Sequence, residues 1–252
     1  VPHPGTLVLA KTSNPASGTT IVPGQLVKYT LSFTNPGLTP VDVNHVDLLQ
    51  DVVDDAELEG AIVTHPALTA TAVPLNQPTS ALHVTGTLNG GVTATVTYSV
   101  RVKTVLPSYA TGKLGNFLMK LGEEPPPVCV PGSTNCTEHP VRVSLSWNKV
   151  NDHTPAQFLA GSEWTLTPYD RAAVPVLDPS TLISVVDCVA ASAAECMGPD
   201  SNPAVGKFTV ADLTIGKYRL TETKAPAGYL RITPIDIDVF SVLDYGNIVN
   251  RQ

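Results

Sequence analysis

Side chains that alternate with a period of two constrain this chain more than any other feature. In "KYTLSFT", Tyr29, Leu31 and Phe33 share one face while Lys28, Thr30, Ser32 and Thr34 share the other. "VTATVTYSVRV" repeats the pattern, with Val92, Ala94, Val96, Tyr98, Val100 and Val102 inward and Thr93, Thr95, Thr97, Ser99 and Arg101 outward. Such segments are half-buried antiparallel strands, apolar toward a core and hydroxyl-rich toward water. "NPG" at 35–37 and "NGG" at 89–91 supply turns between them. Only "DLLQDVVDDAELEG" has room for a turn or two of helix.

The alternation stops at residues 122–140, "GEEPPPVCVPGSTNCTEHP", where Pro, Gly and polar residues dominate. It restarts in "VRVSLSWNKV" and continues through "EWTLTPYD", "KFTVADL", "YRLTET" and "IDIDVFSV". A chain of 252 residues is long for one sandwich and sufficient for two domains with real cores. The expected architecture is therefore all-β, two tandem β-sandwich domains: residues 1–122, a Pro-rich linker with a Cys pair at 123–140, and residues 141–252. A segment of the linker's composition is not expected to pair into a central sheet.

Charged residues are 15% of the chain, and the net charge is −7 with no basic cluster, which argues against nucleic acid or anionic lipid as a partner. No apolar run reaches membrane-spanning length, and the N-terminal "VPHPGTLVLAK" lacks the charged and apolar regions of a secretion leader, as in a mature fragment. The four cysteines form two close pairs, Cys129 with Cys136 and Cys188 with Cys196, none spaced C-x-x-C. Of the three connectivities, two local disulfides are favoured, which places the protein outside the cytosol; the alternative is free buried thiols in a cytosolic protein.

Parity also directs polar groups inward. Lys149 shares a face with Val141, Val143, Leu145 and Trp147; Glu222 shares one with Tyr218 and Leu220; Asn250 shares one with Ile248. Burial lowers a lysine's pKa and raises a carboxyl's, so this amine, acid and carboxamide suit a single-turnover reaction. The amine attacks the carboxamide carbon, the acid handles protons, ammonia leaves, and a Lys–Asn isopeptide bond remains. In the first domain Lys11 aligns with Leu7 and Leu9, Asn116 with Leu114 and Leu118, and Asp47 with Val41 and Val43. Asp51, Asp54 and Asp55 compete with Asp47 for the acid's role.

On these residues the chain resembles known families. "YRLTETKAPAGYL" is similar over its full length to the E-box of the B-type (prealbumin-like) domains of Gram-positive collagen-binding adhesins and pilins, and "GSEWTLTPYD" resembles their second strand. The resemblance covers about residues 141–252 and implies Lys149 as donor, Asn250 as acceptor and Glu222 as catalytic carboxyl. Trp147, two residues before the lysine, departs from the pattern. "GQLVKYTLSFTNPG" followed by "VDLLQDVVDDAEL" resembles the immunoglobulin-like repeat of Gram-positive surface proteins catalogued as a domain of unknown function, of the eleven type. It is also similar to adhesin domains whose aspartate assists the Lys–Asn reaction. That resemblance implies Lys11, Asn116 and Asp47 as donor, acceptor and acid.

Other motifs are bland. The acidic run lacks the spacing of a calcium loop, the six histidines form no metal-ligand pair, and no nucleophile elbow is present, so neither hydrolase, metal nor cofactor is expected. The resemblance implies a structural or adhesive segment of a cell-wall-anchored Gram-positive surface protein or pilin, not an enzyme. Its neighbours would be other domains of the same surface protein or pilus, and its target a host matrix protein or glycan. The alternative is a ligand-binding head, against which the 6% aromatic share weighs. An appendage of a secreted enzyme finds no motif in its favour.

Overall fold

The structure, a computed structural model, describes residues 6–73, 80–169 and 181–252. Outside them lie residues 1–5, which begin the stretch read for a leader and include His3, and Asp170, the last residue of "GSEWTLTPYD". The protein is all-β, and it divides into two compact units, Val1–Val141 and Arg142–Gln252.

The first unit contains β1 (Val8–Asn14), β2 (Leu26–Thr34), β3 (Val41–Leu48), the single turn α1 (Gln50–Val53), β4 (Ala56–Thr64), β5 (Leu68–Ala72), β6 (Ala81–Leu88), β7 (Thr93–Val102), β8 (Lys113–Lys120) and β9 (Cys136–Pro140). Among the described residues, one sheet has the order β1-β2-β7-β4 and the other β5-β6-β3-β8-β9. Antiparallel register sets Lys11 opposite Leu31, and Leu31 opposite Val96, so one inward row combines an amine with aliphatic groups. Period-two patterning sends Tyr29, Leu31, Phe33, Ala94, Val96, Tyr98 and Val100 into the core.

The segment expected to be a linker is only partly one. Residues 136–140 form β9, which pairs antiparallel with β8 from Lys113 opposite Pro140 to Phe117 opposite Cys136. The other edge of β9 is covered too: Gly18 N donates to Glu138 O at 2.8 Å, Ile21 N to Pro140 O at 2.9 Å, and Glu138 N to the Ser17 hydroxyl at 3.0 Å. Both edges are thereby paired, which removes the cost of exposed strand hydrogen-bonding groups. The Cys129–Cys136 disulfide joins the start of β9 to the loop before it. On the outer face of the sheet Val46, Ala81, Phe117, Met119 and Cys136 form a second small core, with Leu48 and Cys129 packed on it. A strand buried on both faces needs such a cover, and the Pro-rich segment supplies part of it.

The second unit contains β10 (Val143–Asn151), β11 (Glu163–Tyr169), β12 (Ile183–Val186), β13 (Lys207–Leu213), β14 (Gly216–Lys224), β15 (Ile235–Val239) and β16 (Leu243–Asn250). Among the described residues its sheets are β13-β10-β16 and β12-β11-β14-β15. β10 and β16 run parallel, with Lys149 opposite Ile248 and Asn151 opposite Asn250. Between the sheets Trp147 stacks on Phe208 at 5.0 Å and meets Trp164 edge-on at 5.8 Å, so the bulky residue before the lysine is core filling. The Cys188–Cys196 disulfide closes a loop between β12 and β13.

Candidate functional site

Lys149 is carried inward by the same parity as Trp147, and its backbone is fixed on two sides. Its N–H donates to Gly206 O at 2.7 Å, and its carbonyl accepts from Leu159 N at 2.9 Å. Gly206 has φ +66, and a Cβ there would lie 2.8 Å from the Leu159 carbonyl oxygen, so a side chain would displace the segments that hold Lys149. Nζ lies 3.1 Å from Oε1 of Glu222, an ion pair with both side chains at 0% exposure, and 5.0 Å from the Trp164 ring centroid. Burial pulls the lysine below its ordinary pKa, with Glu222 opposing the shift.

The Glu222 carboxyl reaches the third group as well. Asn250 Nδ2 donates to Oε1 and Oε2 at 3.3 Å each and to Leu230 O at 3.0 Å, while Ile232 N donates to Oε2 at 2.9 Å. Leu230 is delivered by the turn after β14, where Tyr229 N donates to Pro226 O at 3.1 Å and Gly228 takes φ +83. "TETKAPAGYL" thus positions both the acid and a carbonyl that orients the amide. The surface cations nearest to Glu222 in sequence pair elsewhere, Arg219 with Asp236 and Lys224 with Glu163. The carbonyl oxygen Oδ1 of Asn250 is buried without a hydrogen-bond partner among the described residues.

The first unit builds a comparable cluster across its two sheets. Lys11 Nζ lies 2.5 Å from Asp47 Oδ1, both side chains being fully buried, and 4.9 Å from the Tyr29 ring centroid. Burial again lowers the lysine's pKa against the opposing pull of the carboxylate. Asp47 comes from β3 and Asn116 from β8, two adjacent strands. A tyrosine links them. The Tyr98 hydroxyl donates to Asp47 Oδ2 at 2.5 Å and accepts from Asn116 Nδ2 at 2.6 Å. Asn116 Oδ1 and the Tyr29 hydroxyl are both buried without hydrogen-bond partners among the described residues.

The rival aspartates are occupied elsewhere. Asp55 accepts from the Thr111 hydroxyl and from the N–H groups of Gly112 and Lys113, and Asp54 accepts from Thr111 N. Asp51 lies beside Gly115, on the opposite parity from Asn116. Tyr98 was legible as an inward residue, but nothing in the alternation announced its hydroxyl contacts. Asn116 lies on β8, with β9 following, so the first unit's amide is not on its final strand. Among the described residues no group of His, Cys, Asp and Glu is arranged to hold a metal ion, and no helix is long and apolar enough to cross a membrane.

Residues 6–141, more than half of the chain, match the family described as a domain of unknown function, DUF7927, and the chain belongs to that family. Residues 143–245 match the prealbumin-like fold domain. Among curated proteins nothing matches. Solved structures similar to the chain include BcpA, the major pilin subunit of Bacillus cereus, at 14% identity, covering 97% of this chain and 70% of that one with a TM-score of 0.39. The group B streptococcus pilus 2b backbone protein follows at 16% identity, 96% and 97% coverage and TM-score 0.33. The Corynebacterium diphtheriae major pilin SpaA, whose modular pilus assembly is described with stabilizing isopeptide bonds, gives 11% identity, 98% and 70% coverage and TM-score 0.36.

Proposed function

We propose that this chain is a load-bearing segment of a Gram-positive cell-surface protein or pilus, closed by one intramolecular Lys–Asn isopeptide bond in each unit. The supporting observation is that two compact units each bury an amine, a carboxyl and a carboxamide between their sheets: Lys149, Glu222 and Asn250, and Lys11, Asp47 and Asn116. Buried charges are costly, and a core retains such a set chiefly where it has a use. The E-box that resembles adhesin and pilin domains supplies Glu222, and two disulfides suit an oxidising exterior.

In the second unit the lysine, held below its ordinary pKa by burial, passes a proton to Glu222 and attacks Cγ of Asn250 as a free amine. The Nζ–Cγ bond forms and the Cγ–Nδ2 bond breaks. Of the two protons that leave the Lys149 ammonium, one departs on Nδ2 as ammonia and the other remains on the carboxyl. Fixed neighbours give a high effective molarity, and the dry interior protects the product from hydrolysis.

The bond would span 101 positions of sequence, from 149 to 250, so that tension on the second unit bypasses most of its fold. For a loop of this size the chain-entropy model written for disulfides gives about 4.7 kcal/mol of stabilisation. Attachment to a host matrix protein or glycan is the role to which such a segment would contribute. Intact mass of the purified protein tests the reading: it should fall short of the sequence mass by one ammonia per bond, and a tryptic peptide should join Lys149 to Asn250. Unmodified lysines and asparagines in folded protein overturn it.

A further inference from the structure

The two clusters differ at one point. In the second unit the carboxyl of Glu222 touches the amide nitrogen of Asn250 directly, at 3.3 Å from both oxygens. In the first unit the Tyr98 hydroxyl stands between Asp47 and Asn116, 2.5 Å from Oδ2 of the acid and 2.6 Å from Nδ2 of the amide. We infer that Tyr98 is a catalytic residue of the first unit, a proton relay that carries the acid's proton to the departing nitrogen of Asn116. This inference rests on the Lys11–Asn116 bond proposed above.

The geometry divides the work of the carboxyl between its two oxygens. Oδ1 faces the amine and takes its proton; Oδ2 faces the phenol, whose oxygen accepts a hydrogen bond from the nitrogen that must leave. As the Nζ–Cγ bond forms and the Cγ–Nδ2 bond breaks, the phenol reverses both of its resting hydrogen bonds: it gives its proton to Nδ2 and takes one from the protonated carboxyl at Oδ2, while Oδ1 takes the second proton of the amine. One of the two protons lost by the Lys11 ammonium has then left with ammonia, the other stays on Asp47, and the phenol is unchanged. A phenol suits this position because it donates and accepts through one oxygen. Burial and the neighbouring carboxylate keep Tyr98 in its neutral form, with a proton available to pass on. The hydroxyl of Tyr98 is placed by its strand: Tyr98 lies opposite Tyr29 on β2, and the rings pack at 5.1 Å.

The test follows crosslinking of the full chain during cell-free synthesis, sampling intact mass and tryptic peptides over time. Tyr98→Phe should slow formation of the Lys11–Asn116 peptide by about 100-fold, within the range of general acid–base catalysis, while the Lys149–Asn250 peptide accumulates at the wild-type rate as an internal control. Because loss of the hydroxyl also removes two buried hydrogen bonds, a second substitution separates chemistry from packing. 3-Fluorotyrosine at position 98 preserves the ring and both contacts but alters the phenol's acidity, and the rate of the first crosslink should change with it. An unchanged rate in the fluorinated protein, or full-rate crosslinking by Tyr98→Phe, overturns the relay alone. A wild-type chain that never forms the Lys11–Asn116 peptide overturns the underlying bond instead.

Discussion

Asn250 Nδ2 sits 3.3 Å from both oxygens of the Glu222 carboxyl, although the two residues lie on strands of opposite sheets and are 28 positions apart. The same carboxyl holds Lys149 Nζ at 3.1 Å. One acid therefore bridges both groups that the proposed reaction would join.

Replacing that acid should stop the second crosslink. Glu222→Ala protein is expected to be heavier, relative to its own sequence mass, by one ammonia than wild type, with the first unit unaffected. If the bond forms in wild type, the loss of about 4.7 kcal/mol from loop closure would be joined by the cost of leaving Lys149 buried without its partner. Mass spectrometry together with thermal melting checks both, and an unchanged ammonia deficit removes Glu222 from the mechanism.

An ion pair and a covalent bond respond differently to replacement of both partners. The double substitution Lys149→Met with Glu222→Gln keeps volume and removes both charges, a change often neutral for a bare buried pair. If Nζ is instead bonded to Asn250, the melting temperature of the second unit should fall by more than about 10 °C. Calorimetry of the two proteins separates the cases, and equal melting temperatures argue for an unreacted pair.

Blocking the acceptor should expose a pH dependence that a crosslinked protein would lack. In Asn250→Ala the lysine stays an amine whose folded pKa burial holds below its ordinary 10.5. Between the folded value and 10.5 the unfolded chain binds more protons, so the variant's stability should rise with pH across that window and be lost as pH falls through it. Wild-type protein should lack this increment if Nζ has entered the proposed amide. Denaturant titrations at several alkaline pH values would measure the difference, and parallel curves would contradict it.

The Cys129–Cys136 disulfide should matter most to β9. It closes a loop of sequence separation 7, for which the entropy model gives about 2–3 kcal/mol. Joint replacement of both cysteines by Ser should lower the stability of the first unit by no more than that. Hydrogen exchange should quicken around Thr137 and His139 while the β2–β7 ladder keeps its protection. Equal protection of β9 in both proteins would make the disulfide mechanically idle there.

Much of this was legible because a strand's parity decides which way a side chain points. Lys149, Glu222 and Asn250 each follow an apolar row, and each is buried. What parity leaves open is the partner across the core. It gave Tyr98 a face but no contact with Asp47 or Asn116, and it could rank Asp47 above Asp51, Asp54 and Asp55 only by its neighbours Val41 and Val43. β9 escaped because "CTEHP" is short and ends in proline, and because the groups that satisfy its outer edge, Ser17, Gly18 and Ile21, lie more than a hundred positions earlier. Pairing over that distance leaves no trace in local pattern. The helical turn after β3, by contrast, stands where the acidic run left room for it.

The parallel alignment of β10 and β16 sets how the second unit would yield if its ends were drawn apart. Neighbouring strands dragged in opposite directions along their length must give up their evenly spaced backbone bonds together, unlike a hairpin that unzips rung by rung. Even with no covalent stitch, this module would therefore resist stretching like a lap joint, and a stitch at Lys149 and Asn250 would serve as the rivet at the far end of the overlap.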